Sequence, residues 1–130
     1  MSDEKWFAFF AACARVLGPG YSVPTEHGSW CAWTTFRSLQ NQVHYWAAGL
    51  PLESELGPTA TTDGGTWGQP FHYREFAHVI IPREVYWEEG SASSFRNGSK
   101  FQDINRLSSE LTAAEVPHRL TELVVEVKLY

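Results

Sequence analysis

Residues 120–130 read LTELVVEVKLY, and this stretch decides the fold class. Leu123, Val125, Val127 and Leu129 point one way, while Glu122, Val124, Glu126 and Lys128 point the other. That two-residue period is a strand with one buried face. Immediately before it, Ser99–Glu115 carries Phe101, Ile104, Leu107, Leu111 and Ala114 at helical spacing. Ser99 followed by Gln102 fits a capping box, and Pro117 closes the segment. An amphipathic helix that feeds a one-faced strand implies a sheet with helices packed against it.

The same architecture extends toward the N-terminus. Residues 71–81, FHYREFAHVII, place Phe71, Tyr73, Glu75, Ala77, Val79 and Ile81 against His72, Arg74, Phe76, His78 and Ile80 on a further strand ended by Pro82. Residues 83–88, REVYWE, read as another strand, and the Gly/Ser-rich residues 89–99 read as a loop. Residues 29–37, SWCAWTTFR, and 41–48, NQVHYWAA, are rich in β-formers. The short link between them predicts an antiparallel hairpin. Asp3–Leu17 reads as a helix, with acidic residues in its first turn and Gly18-Pro19-Gly20 as its stop. Its aromatics cover more than one face. The expectation is an α+β fold over residues 1–130 as a single domain, ordered α-β-β-β-(β)-α-β. A predominantly antiparallel sheet of four to five strands carries an N-terminal helix and a second helix near the C-terminus.

Composition sets the limits. A chain of 130 residues and 14.7 kDa should expose roughly 7,000 Å² when folded, against roughly 21,000 Å² unfolded, enough to bury a core without metal or disulfide staples. At 43% apolar and 19% charged residues the chain is not disordered. Ten basic residues against fifteen acidic ones leave a charge of −5. That disfavours a nucleic-acid partner, because phosphate contacts need a basic surface. No stretch reaches the roughly 18 apolar residues of a membrane helix. Asp3 and Glu4 precede the apolar run at 6–14, where a secretory signal needs positive charge. The expected setting is cytoplasmic, with Cys13 and Cys31 as buried, reduced thiols.

Motifs for named chemistry fail. His72, Glu75 and His78 spell HxxExxH, but on a strand the glutamate opposes both histidines, which stand about 20 Å apart. No metal site is expected, and no cofactor. There is no nucleophile elbow, and the glycines of TTDGGTWG do not lead a strand into a helix. Asp63-Gly64-Gly65 reads as a turn. Two alternatives remain beside a binding protein. One is a small hydrolase or nuclease-like enzyme using His44, His72, Arg74 and His78, if their strands were neighbours. The other is a small-ligand binder with an aromatic-lined pocket under the long irregular segment 49–69.

The surplus of aromatics, 15% of the chain with six tryptophans, combines with local acidity. Glu53, Glu55, Trp67, Glu84, Trp87, Glu88 and Glu89 are the candidate partner-binding residues. Small acidic chains of this kind resemble in type the bacterial immunity and antitoxin proteins. That resemblance implies direct binding to a basic toxin. A homodimer through the C-terminal strand is expected if that strand lies at a sheet edge.

Overall fold

The computed structural model describes residues 1–62 and 65–130, so the Asp63-Gly64 turn lies outside the described residues. Its exposed area, 7191 Å², matches the size expected for a folded chain of this mass. Helix α1 (Asp3–Leu17) leads to strand β1 (Cys31–Thr35), helix α2 (Phe36–Asn41) and strand β2 (Trp46–Ala48). The short pair β3 (Ala60–Thr61) and β4 (Phe71–His72) comes next, then β5 (Phe76–Pro82), β6 (Glu84–Glu89) and β7 (Arg96–Phe101). Helix α3 (Ile104–Ala113), β8 (Arg119–Leu120) and β9 (Val124–Lys128) complete the chain. The main sheet runs β2-β1-β5-β9-β8 with all neighbours antiparallel, as an α+β fold requires.

One face of this sheet builds the core. Cys31, Trp33, Val79, Ile81, Val125 and Val127 point into it, in keeping with the alternation read for β9. Helix α1 answers with Trp6, Phe9, Phe10 and Cys13, a stripe at helical spacing, and α3 with Ile104, Leu107 and Leu111. The aromatic excess of α1 is therefore deep packing. Trp6 lies edge-on to Phe9 at 5.6 Å and stacks on Phe10 at 5.9 Å.

Three sequence expectations change for physical reasons. The strand read over residues 71–81 breaks at 73–75, where the Glu75 carboxylate accepts the His72 N–H at 3.0 Å and winds a single 3-10 turn. A bulge follows: Thr34 pairs with His78 but Thr35 with Phe76, so Ala77 is extra on β5. That extra residue reverses the parity and turns Phe76 into the core. The hairpin of residues 29–48 pairs as expected, but its link is α2, begun where Thr35 Oγ1 caps Ser38 N at 3.1 Å. The helix read from Ser99 starts only at Ile104, capped by Asp103, because residues 96–101 pair with β6.

Gln102 is consequently not a capping-box residue. It is buried, and its side chain ties three segments: Oε1 accepts Trp30 N–H at 2.8 Å, and Nε2 donates to Trp30 O at 3.0 Å and Pro82 O at 2.8 Å. A second lock is the crossing of residues 20 and 49. Their backbones touch, so a Cβ on either would collide with the other's main chain, and Gly49 N–H donates to Tyr21 O at 2.8 Å. The terminal strand, whose place at an edge was the condition for a homodimer, lies between β5 and the two-residue β8.

Gln102→Ala strands a buried N–H and two carbonyls, and is expected to cost on the order of 3 kcal/mol. Gly49→Ala forces the crossing apart at about 1–3 kcal/mol. Urea unfolding of each variant measures both. Losses below about 0.5 kcal/mol, the usual effect of a surface change, would remove these residues from the list of locks.

Candidate functional site

The β6–β7 hairpin carries the alternation of a strand pair to its outer surface. Val85 and Trp87 face inward, opposite Lys100 and Gly98. The Trp87 ring covers the Gly98 backbone, and the Arg96 guanidinium sits 5.6 Å from that ring. Lys100 Nζ donates to Gly28 O at 2.6 Å, and burial pulls this ammonium below its ordinary pKa. Arg96 pairs with Glu26 at 2.9 Å, and Glu89 Oε1 accepts Glu26 N–H at 3.1 Å. The hairpin's cations are thus spent on holding residues 26–28 beneath it.

The outer face is different. Glu84, Tyr86 and Glu88 stand opposite Phe101, Ser99 and Asn97. Phe101 is 73% exposed and Tyr86 55% exposed. Leu123, 76% exposed, is tied to the foot of the hairpin, where its carbonyl accepts Arg83 N–H at 2.8 Å. Tyr86 donates to Glu88 Oε1 at 3.0 Å, and this bond raises the phenol's pKa. Among the described residues neither Glu84 nor Glu88 is ion-paired.

The sequence-derived partner set divides against this geometry. Glu84 and Glu88 lie on the outer face, and Glu53 is exposed on a separate turn at Glu53–Glu55. Glu89 is turned toward Glu26, and Trp87 is buried. Glu55 works inside the 49–69 segment, accepting Leu52 N–H at 3.0 Å and Thr66 N–H at 2.8 Å. Trp67 packs inward, stacked on Trp33 at 3.7 Å, with Nε1 donating to Gly49 O at 2.8 Å. The aromatic-lined cleft beside α2 reaches this segment at Gln69, its last residue, while Trp67 fills the space against Trp33. Sequence reasoning passed over Phe101, assigned to a helix, and Leu123, assigned to a buried face. Alternation of Glu84, Tyr86 and Glu88 against Val85 and Trp87 was the available signal for the outer face.

The four histidine-set residues also separate. His44 and Arg74 line one cleft of ≈ 720 Å³ beside α2. His72 is exposed at the start of the 3-10 turn. His78 is buried on the sheet face away from the core, where Nδ1 meets Tyr45 Oη at 2.9 Å and Nε2 meets Glu126 Oε2 at 2.8 Å. Tyr45 Oη meets Tyr130 Oη at 3.1 Å, and Arg119 approaches Glu126 at 3.5 Å. One proton assignment satisfies every member: Tyr130 donates to Tyr45, Tyr45 to His78 Nδ1, and His78 Nε2–H to Glu126. Burial above all pushes Tyr45 up to about 12. A phenol held protonated so firmly is a donor, not a base, and the chain of bonds anchors the two termini of the sheet's outer layer. Burial likewise raises both thiols, Cys13 and Cys31, which keeps them unreactive. No group of three His, Cys, Asp or Glu side chains forms a ligand set among the described residues. No helix there is long and apolar enough to cross a membrane.

Comparison with known proteins gives no match: no family model describes the sequence, and neither a curated protein nor a solved structure is similar to it.

Tyr45 and Tyr73 are both pushed up from 10.0 to about 12, Tyr73 by burial first and then by the Asp3 charge. The folded state holds these protons more tightly than the unfolded one. The resulting stability is complete below pH 10 and is lost as pH rises toward 12. Spectrophotometric titration should show these phenols ionising late, together with loss of near-ultraviolet dichroism. Ionisation of both near pH 10 in a folded chain would contradict this placement.

Proposed function

We propose that this chain is a cytoplasmic protein-binding domain that engages a basic protein through the outer face of the β6–β7 hairpin. Its mode would be that of a bacterial immunity or antitoxin protein, which neutralises a basic toxin by direct contact. The observation that carries this reading is the union of exposed rings and unpaired carboxylates on one rigid face. None of the six outward residues of the hairpin is basic. Phe101 and Tyr86 supply apolar area that is unfavourable in water and gains when covered. Glu84 and Glu88 flank them, as charges flank the centre of a protein interface. A net charge of −5 adds long-range attraction toward a cationic partner.

Size matters to the argument. Two strands of six residues form a face about 20 Å long and about 10 Å wide. A standard interface needs about 800 Å² per partner. The partner therefore reaches beyond the hairpin, and Leu123 extends the apolar surface on the side of Glu84. The rigidity of the hairpin lowers the ordering cost of binding. Its inner face is fixed by Trp87, Lys100 and Arg96, and its base by Gln102.

The test is affinity capture from extracts of the source cell, including the products of neighbouring genes, at low and high salt. The capture is followed by calorimetry with the purified partner. Wild-type protein is expected to retain one basic protein, less well as salt rises. Both Glu84→Lys/Glu88→Lys and Tyr86→Ala/Phe101→Ser should weaken that complex at least about tenfold while the fold is unchanged, because all four side chains are exposed. A partner bound equally by both variants would place the interface elsewhere. Capture of no basic protein under any condition would sink the reading.

A further inference from the structure

The cleft beside α2 is separate from the hairpin face, and its chemistry is opposite. Its volume, ≈ 720 Å³, falls in the range of sites for small molecules. Phe36, Trp46 and Phe71 give it an apolar wall, and His44, Arg37 and Arg74 give it donors. Trp46 and Phe71 meet nearly edge-on at 5.2 Å, and the His44 ring stands edge-on to Trp46 at 4.8 Å. The wall is rigid, because Trp46 lies nearly parallel to Trp33 at 6.2 Å and Trp33 stacks on Trp67 in the core. The stack thus runs outward from a buried indole to a half-exposed one that lines the cleft.

The charge in the cleft runs against that of the chain. Two guanidiniums line it against one carboxylate, Glu75, and that carboxylate is turned back onto the His72 N–H. Among the described residues neither Arg37 nor Arg74 forms an ion pair. An acidic protein that leaves two arginines unpaired in the lining of one cleft offers an anion site there. Guanidinium forks suit a carboxylate or a phosphate, each of which presents a pair of oxygens to the two N–H groups. The backbone is specialised here as well. Val43, between the lining residues Gln42 and His44, has φ +53°, an unfavourable conformation for a β-branched residue. Its N–H nonetheless donates to Ser38 O at 2.8 Å, which fixes the turn and sets the His44 ring against Trp46.

We infer that this cleft binds a small anion built on a flat aromatic ring, the ring lying against Trp46 and Phe71 and the anionic group held by Arg37 and Arg74. Carboxylate and phosphate present the same chemistry to the arginines. The ligand is accordingly an aromatic carboxylate or a nucleoside monophosphate, and binding adds a ligand-responsive site to the chain.

The experiment follows indole fluorescence and amide NMR shifts of the full chain during titration with adenosine 5′-monophosphate, adenosine and indole-3-acetate. At least one of the two anions is expected to bind below about 10 mM and to shift residues 35–46 and 69–75. If adenosine monophosphate binds, adenosine should bind at least about tenfold more weakly, since only the phosphate engages the arginines. Arg74→Ala and Arg37→Ala, both at exposed positions, should each weaken the anion about tenfold or more with the fold intact. Glu84→Lys/Glu88→Lys on the hairpin should leave it unchanged. A response to the phosphate alone identifies a nucleotide-like ligand, and a response to the acetate alone identifies an aromatic acid. Silence toward both anions at about 10 mM overturns the proposal, as does equal binding of adenosine and its monophosphate, or affinity unaltered by either arginine variant.

Discussion

The structure depends on one contact, the stacking of Trp67 on Trp33 with ring centroids 3.7 Å apart and planes 11° from parallel. Trp33 is fixed at the centre of the sheet on β1, and Trp67 comes from a segment with little regular structure. Ordering an irregular stretch of some twenty residues is entropically costly, at about 1–2 kcal/mol per residue for the backbone. Burial of a large indole against Trp33, Phe10, Phe71 and Phe76 is the main offsetting gain available to that segment. Leu50 and Leu56 of the same segment also pack on the core, and its further ties are Trp67 Nε1 to Gly49 O, Glu55 to Thr66, and the contact of Gly49 with Gly20. The same stack decides where the cleft can be. With Trp67 filling the space next to Trp33, the opening that remains lies farther out, at Trp46.

Charge is distributed by use. On the hairpin the cations Lys100 and Arg96 are turned inward, where they satisfy the carbonyl of Gly28 and the carboxylate of Glu26. Burying an ammonium is costly, and the drop in the Lys100 pKa records that cost. The consequence is an outer face left with carboxylates alone. At the cleft the balance reverses: Glu75 is engaged by the backbone and the two guanidiniums remain open. A chain with a net charge of −5 therefore presents two surfaces of opposite character, and each is produced by which partner groups are consumed internally.

The elements legible in the sequence were those whose period comes from a single buried face. Strand β9 is of that kind in its paired residues: Val125 and Val127 sit where the alternation puts them, while Leu123 and Leu129 of the same set are exposed. Helix α1 was legible from its acidic first turn and its Gly-Pro-Gly stop, and Trp6, Phe9, Phe10 and Cys13 form its core-facing stripe. Strand β7 was not legible, because RNGSKF offers one apolar residue, Phe101, and that residue also fits the stripe of the helix behind it. Residues 89–99 read as a loop and 99–115 as a helix, and pairing with β6 overrode both. The break at 73–75 was hidden for a related reason: a side-chain bond from Glu75 to a backbone N–H makes the turn, and strand periodicity carries no trace of it. For the sites, the acidic alternation at Glu84 and Glu88 could be read. Its aromatic complement Phe101 lies across the hairpin and could not. His44 and Arg74 were both singled out as reactive groups, but Phe36 and Arg37 join them only because Thr35 caps a helix there.

The histidines show how strongly packing decides chemistry when composition does not. On one continuous strand His72 and His78 would share a face, about 20 Å apart. The 3-10 turn and the extra residue at Ala77 put them in different surroundings, one in solvent and one beneath Tyr45. His78 then has both ring nitrogens bonded, so it has no free position for a substrate. His44 keeps an accessible edge because the left-handed turn at Val43 lays its ring against Trp46 at the mouth of the cleft. Among the exposed histidines, His44 lines the cleft that also carries the two unpaired arginines. The combination of an open imidazole, open guanidiniums and a rigid aromatic wall is what supports reading the cleft as a recognition site.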